Sequence, residues 1–179
     1  MKIYKITDEL SSEYERILPV HGVSKGMGCN LAWLKTLVKL KEEQVFPSLV
    51  LESDANQVRP LENFDIPKDC DILYYGVCKL DEDPDKIWQE EYHEVDNYPH
   101  LIKLKRMATT HAVCFYNKSS VQAALEYTSA ALCNNVLLDV VWAHELMPRF
   151  NVYALRKPVF TQGTSYKDNF YYKNTNILL

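Results

Sequence analysis

Basic charge is in short supply in this 179-residue chain, where 20 lysines and arginines face 24 aspartates and glutamates for a formal net charge of −4. That excludes a global positive field drawing the chain to nucleic acid or anionic lipid. An anionic ligand therefore needs local help, from a metal or a few placed cations. Long apolar runs are missing too. The chain opens MKIYKITDEL, with no apolar signal region, and nowhere has about 18 apolar residues in a row, which predicts no membrane span and a cytoplasmic setting. Its five cysteines, Cys29, Cys70, Cys78, Cys114 and Cys133, include no C-x-x-C pair, so no zinc or redox pair is expected. Cys114 and Cys133 stand in apolar surroundings and read as small core residues. His144-Glu145 is not a zinc motif, because Pro148 stands where H-E-x-x-H needs its second histidine. Gly26-x-Gly28 lacks the third glycine and the strong preceding strand of a dinucleotide fold. The sequon Asn117-Lys118-Ser119 reads as chance without a secretion signal.

What is present is ordinary globular composition, 47% hydrophobic and 25% charged. The length suits one domain spanning residues 1–179. Lys2–Ile6 alternates as a strand with one buried face, and 8–13 is expected to start a short helix capped by Ser11 or Ser12. Leu18-Pro19-Val20 reads as a short strand. Cys29–Glu43 carries Leu31, Leu34, Leu37, Val38 and Leu40 at helical spacing, with Lys35, Lys39 and Lys41 on the wet side. After Pro47, Ser48-Leu49-Val50-Leu51 is a continuous apolar run, the mark of a strand covered on both faces. A helix feeding such a strand predicts a three-layer α/β fold. Further strands are expected at 71–75, 101–105, 110–116, 151–155 and 159–161. Helices are expected from Ser119 or Ser120 to Leu132 and over 137–147. The acidic, proline-interrupted stretch 80–99 reads as a long binding loop, and the tail from Gly163 as loop.

The informative residues follow the apolar run: Glu52-Ser53-Asp54. Two carboxylates two apart on an extended chain project the same way, and open α/β sheets bind ligands at the carboxyl ends of their strands. Hard cations such as Mn²⁺ or Mg²⁺ take carboxylate oxygens and complete their shell with water and phosphate. The plainer role for Glu52 and Asp54 is to end a strand and start a turn, which acids also favour.

Gly26–Ala55, GMGCNLAWLKTLVKLKEEQVFPSLVLESDA, resembles glycosyltransferase family 25, the lipooligosaccharide and procollagen galactosyltransferase group, whose strand ends in E-D-D-A. Asp71–Gly76 is similar to that family's next strand. Thr110-His111-Ala112-Val113 is similar to its T-H-A-Y segment, and Leu138-Asp139 falls at its P-V-D element. Phe150–Ala154 with Pro158 and Gln162 resembles its closing strands, and Ser165 with Asp168 loosely echoes its S-D motif. The resemblance implies a GT-A type, Rossmann-like domain with a mixed, mostly parallel sheet. It also implies a UDP- or GDP-sugar donor, a carbohydrate or glycoprotein acceptor, Mn²⁺ or Mg²⁺, and inversion at the sugar carbon. The sequence departs from the family at Ser53, which replaces the middle acid, and at Ala32 and Trp33, which replace a serine and a histidine. The region before Gly26 is short.

On that reading Asp54 and Glu52 hold the metal. Lys25, Ser53, Arg59 and His111 face the donor, and Asp139 is the base that takes the acceptor proton, with Glu145 the alternative. Each has a plainer role: helix cap for Asp139, hydrogen-bonded core residue for His111. Asp81-Glu82-Asp83-Pro84-Asp85 reads as a solvated acidic surface, and Trp88, Tyr92, His93 and Tyr98 as candidates to stack on an acceptor sugar. Two alternatives to a glycosyltransferase stand: a catalytically degenerate binding protein of the same fold, and a metal-dependent nucleotidyl- or phosphotransferase using the same carboxylates.

Overall fold

The computed structural model describes residues 1–76, 91–107 and 109–162, apart from the side chain of Glu91. Eight strands form one mixed sheet: β1 Lys2–Ile6, β2 Glu15–Ile17, β3 Ser48–Leu51, β5 Ile72–Tyr74, β6 Glu91–Glu94, β7 Leu101–Arg106, β8 Ala112–Phe115 and β9 Val152–Leu155, in the order β2-β1-β3-β8-β5-β9-β7-β6. Strands β2, β1, β3, β5, β9 and β6 run one way, and β8 and β7 the other. A separate antiparallel ribbon joins β4 Ala55–Gln57 to β10 Phe160–Gln162. The α/β class with a mixed, mostly parallel sheet is as the sequence predicts.

Among the described residues the helices all cover one face. Helix α1 (Lys25–Glu43) starts at Ser24, whose hydroxyl accepts from the Met27 amide at 3.4 Å, and it buries Asn30, Trp33, Leu37 and Leu40 as a stripe. Helix α2 (Lys118–Cys133) is capped by Asn117, ahead of the expected Ser119 or Ser120, because the Asn117 side chain accepts from Ser120 N at 2.9 Å. Helix α3 (Leu138–Val141) runs on through a wide turn, Trp142–Leu146, and a tight one, Met147–Arg149, where Pro148 removes the next helical donor. Trp142 sits edge-on to Trp33 at 5.0 Å and to Phe115 at 6.0 Å, the aromatic centre of this core. The opposite face buries Leu49, Leu73, Cys114, Tyr153 and Phe160, and its third layer is built from segment 58–71, the β4/β10 ribbon and residues 95–100.

One carboxylate clamps the amino ends of these elements. Asp71 Oδ1 accepts from Asn117 Nδ2 at 2.6 Å, and Oδ2 accepts from the Asn151 amide at 2.9 Å. It fixes the starts of β5, α2 and β9 together, and it leaves the sequon asparagine engaged as a cap.

Several expectations change. No helix forms over 8–13: the Ser11 hydroxyl accepts from Glu13 N at 3.1 Å and Thr7 does the same for Glu9 N, local bonds that compete with helical ones. The second strand is Glu15–Ile17 rather than 18–20, because Glu15 joins an ion cluster with Lys2, Lys39 and Glu43 beside β1. The end of the expected long loop is strand β6 at the sheet edge. Cys133 is exposed, at the end of α2, whereas Cys114 is buried as expected. The acidic run 81–85, Trp88, Cys78, Ser165 and Asp168 lie outside the described residues. Among the described residues no helix is long and apolar enough to cross a membrane.

Candidate functional site

The site is built at the carboxyl end of β3. Alternation along the strand sends Val50 into the helical core and Leu49 and Leu51 to the other face, so Glu52 points under α1. There Glu52 Oε1 accepts from Trp33 Nε1 at 2.7 Å and from Thr110 Oγ1 at 2.6 Å, with Cys29 Sγ at 3.8 Å. Its Oε2 takes no hydrogen bond among the described residues. Burial is the main cause that pushes the Glu52 carboxyl above the usual range. The charges of Asp54 and Asp139 add to it, against the Thr110 and Trp33 bonds.

Asp54 follows in the tight turn closed by Ala55 N on Glu52 O at 3.1 Å. It is half-buried and forms no hydrogen bond or ion pair among the described residues. Asp139 enters from the helical layer because Asn30 reaches across from α1. Asn30 Nδ2 donates to Val136 O at 2.7 Å, and its Oδ1 accepts from Leu138 N at 3.1 Å. Burial lifts the Asp139 carboxyl, while the Val140 amide, donating at 2.8 Å, opposes that shift. Burial and the charges of Glu52, Asp139 and Asp54 push the Cys29 thiol up. The Tyr74 hydroxyl is buried, without a hydrogen-bond partner among the described residues, and feels the charges of Asp139 and Glu52.

Glu52 thus feels the charges of both Asp54 and Asp139. Ser53 is exposed in the turn between the two acids, and Lys25 is exposed at the first residue of α1, one turn before Cys29. Arg59 is spent partly on the Lys157 carbonyl, to which its Nη1 donates at 3.1 Å. Glu145 does not join the acids: it is exposed, 3.5 Å from Arg149 Nη2, on another face of the helical segment. His111 is fully buried. Its Nδ1 lies 2.7 Å from Thr109 Oγ1 and its Nε2 3.3 Å from Phe160 O. Because a carbonyl only accepts, Nε2 carries the proton and the Thr109 hydroxyl donates to Nδ1. Burial holds its pKa down to about 4, so the ring is neutral at pH 7 and serves as a hydrogen-bonded core residue joining β8 to β10. Of the aromatic candidates, Tyr92 packs on the helical core, while Tyr98 meets His100 edge-on at 6.2 Å on the other face.

Among the described residues no three His, Cys, Asp or Glu side chains converge to hold a metal. The available oxygens, Asp54 and Glu52 Oε2, suit an ion that draws most of its shell from water and ligand phosphate, not an all-protein cage. Sequence reasoning missed Asn30, Trp33, Thr110 and Tyr74. Only Trp33, on the buried stripe with an indole N–H needing an acceptor, carried a usable signal.

The state of Glu52 can be tested directly. A folded-state pKa above the unfolded value favours folding below the unfolded pKa, near 4.3, and that contribution is lost as pH rises through the elevated value. Glu52→Gln keeps an oxygen for Trp33 and Thr110 and removes the buried charge. Thermal melts should show the variant a few degrees above wild type at pH 8, converging toward pH 4. A variant that melts lower at pH 8 would mean that an anion is stabilised at this position.

No family model matches the chain, and no curated protein matches it. Among solved structures it is similar to a CTP:phosphocholine cytidylyltransferase from Streptococcus pneumoniae, with 15% sequence identity, 82% of this chain and 63% of that chain covered, and a TM-score of 0.38. The chain therefore spans less than two thirds of that enzyme's length, and a likeness this slight assigns no chemistry to the acidic strand end.

Proposed function

We propose that the chain is a metal-dependent inverting glycosyltransferase that moves a sugar from a UDP- or GDP-sugar to a glycan or protein-linked acceptor. The observation that supports the reading is that Glu52, at the carboxyl end of β3, feels the charges of both Asp54 and Asp139, while Asp54 makes no hydrogen bond or ion pair among the described residues. Asp54, with Glu52, would hold Mn²⁺ or Mg²⁺, and the ion when bound neutralises the donor diphosphate and the departing nucleotide. Lys25 is the cation on the α1 side for phosphate, and Ser53 offers a hydroxyl in the same turn. Asp139 takes the proton from the acceptor hydroxyl, since a carboxyl raised by burial is a better proton acceptor at neutral pH than an ordinary aspartate. Asn30 acts through Asp139, as the positioning residue that fixes where α3 begins.

The inward bonds of Glu52 favour a second reading, a nucleotide-sugar-binding protein of the same kind without catalysis. Melting with Mn²⁺, with UDP or GDP, and with both separates the possibilities. A transferase or a sugar-nucleotide binder is stabilised only by metal and nucleotide together, and hydrolysis of a panel of nucleotide sugars then marks the enzyme. Cleavage of a nucleoside triphosphate instead would point to nucleotidyl or phosphoryl transfer. No shift under any combination would remove the proposal.

A further inference from the structure

Within the helical core one buried polar atom is not explained by its packing. Alternation along β5 turns Ile72 and Tyr74 toward the helices and Leu73 to the other face, and Tyr74 is 0% exposed. Tyr74 pairs in register with Val113 of β8, and Val113 with Val50 of β3. These three residues form one row across the helical face of the sheet, and Glu52 turns to that same face two residues past Val50. From the helical layer, Leu138 and Trp142, on either side of Asp139 in sequence, belong to the same core. A phenylalanine would fill the position of Tyr74 with the same ring, so the hydroxyl is the part that calls for a reason. It is buried and has no hydrogen-bond partner among the described residues. Leaving such a group unsatisfied is costly, and native interiors almost always pair it.

The charges around this hydroxyl define what it serves. Burial first, then the charges of Asp139 and Glu52, hold the phenol well above its ordinary pKa, so it keeps its proton and acts as a donor. Both carboxylates have room to accept. Glu52 uses Oε1 for Trp33 and Thr110, and its Oε2 takes no hydrogen bond among the described residues. Asp139 Oδ1 accepts from the Val140 amide at 2.8 Å, and no side chain donates to the Asp139 carboxylate among the described residues. We propose that Tyr74 is a positioning residue for Asp139, its hydroxyl donating through one internal water to the Asp139 carboxylate. A buried water makes about three hydrogen bonds, and Tyr74, Asp139 and Glu52 supply as many polar partners. A bridge of this kind is nearly as favourable as a direct bond. It fixes the orientation of the carboxylate and favours its charged form, the form that takes a proton from an acceptor hydroxyl. The role rests on the reading of Asp139 as that proton acceptor, whereas the link itself does not.

The link can be measured without substrate. The Asp139 carboxyl is titrated by carbon NMR in the whole chain, in EDTA, for wild type, Tyr74→Phe and Tyr75→Phe. Glu52, Asp54 and Cys29, the other ionisable groups of this neighbourhood, are the same in all three proteins. Losing a donor raises a carboxyl's pKa, so the Asp139 midpoint in Tyr74→Phe should stand roughly 0.5–1 pH unit above wild type. Tyr75→Phe removes a hydroxyl on the opposite face of the sheet and should leave the midpoint in place. In thermal melts at pH 7, Tyr74→Phe should lose roughly 2–4 °C, and that loss should disappear in an Asp139→Ala background. An unmoved midpoint, an equal shift in Tyr75→Phe, a Tyr74→Phe variant that melts at or above wild type, or the same loss with Asp139→Ala would overturn the proposal. If the midpoint shifts while metal and nucleotide fail to stabilise the chain, the link stands and only the transferase reading fails.

Discussion

Asp54→Ala is expected to abolish the joint stabilisation by Mn²⁺ and nucleotide while leaving the unliganded protein almost as stable as before. The asymmetry follows from its surroundings. Asp54 makes no hydrogen bond or ion pair among the described residues, so its loss should fall within the roughly ±0.5 kcal/mol of ordinary surface changes. A ligand at a hundred times its Kd stabilises wild type by about 2.7 kcal/mol, which for a chain of this size is roughly 5–10 °C in Tm. That shift should vanish in the variant. Donor hydrolysis should fall by more than the roughly 10–100-fold typical of losing an outer-shell partner. Ser53→Ala, by contrast, should keep the shift, because hard divalent cations choose carboxylates over a hydroxyl. If Asp54→Ala still responds to metal and nucleotide together, the cation is held elsewhere and the reading of the β3 strand end fails.

Gly76→Ala should be the most damaging of small substitutions outside the acids. A methyl group there would sit 2.0 Å from His111 Nε2 and 2.6 Å from the Phe160 carbonyl oxygen. Neither can retreat. The imidazole is fully buried and held through both nitrogens, and Phe160 is held in the ribbon by pairing with Gln57. Overpacking of this kind costs about 1–3 kcal/mol, and two immovable neighbours place it at the upper end, a fall of roughly 6–12 °C in Tm. Gly26→Ala makes the contrast. Its methyl would meet Leu137 Cδ2 at 2.6 Å, but that atom is the tip of a half-exposed, flexible side chain, and alanine favours helix over glycine by about 1 kcal/mol. Melting temperatures of the two variants should therefore move apart. Equal destabilisation would mean that the packing around His111 yields more readily than a 2.0 Å approach between fixed groups allows.

Much of the scaffold was legible because its pattern is hydrophobic. Strands β3 and β8 are continuous apolar runs that became central strands, and α1 follows a stripe of leucines. The edge strands were not legible. Glu15–Ile17 and Glu91–Glu94 are polar, and they are strands because β1 and β7 offer them free edges, a tertiary cause with no local signature. In the site, the acids at 52 and 54 were legible from their place after a buried strand. The inward turn of Glu52 was not, because it depends on Trp33 and Thr110, 19 and 58 residues away along the chain. Asn30 looked like any polar helix residue, and its importance lies in the backbone of residues 136 and 138, which sequence alone does not bring near. For His111, the plainer core role is the one the buried environment supports.

The order of the sheet has a last consequence, for how the chain can be assembled and divided. Strands β3 and β5 both belong to the first 76 residues, yet they do not touch: β8, made far later in the chain, wedges between them and hydrogen-bonds to each. An amino-terminal fragment would therefore hold two strand groups with a gap of one strand width, and a carboxyl-terminal fragment would hold the filler without its frame. Neither piece has a finished interior, so contacts distant in sequence must form before local structure is rewarded. The acidic strand end comes into being only when the late strand arrives, since Thr110 and the backbone of His111 are among the groups that hold Glu52 in place.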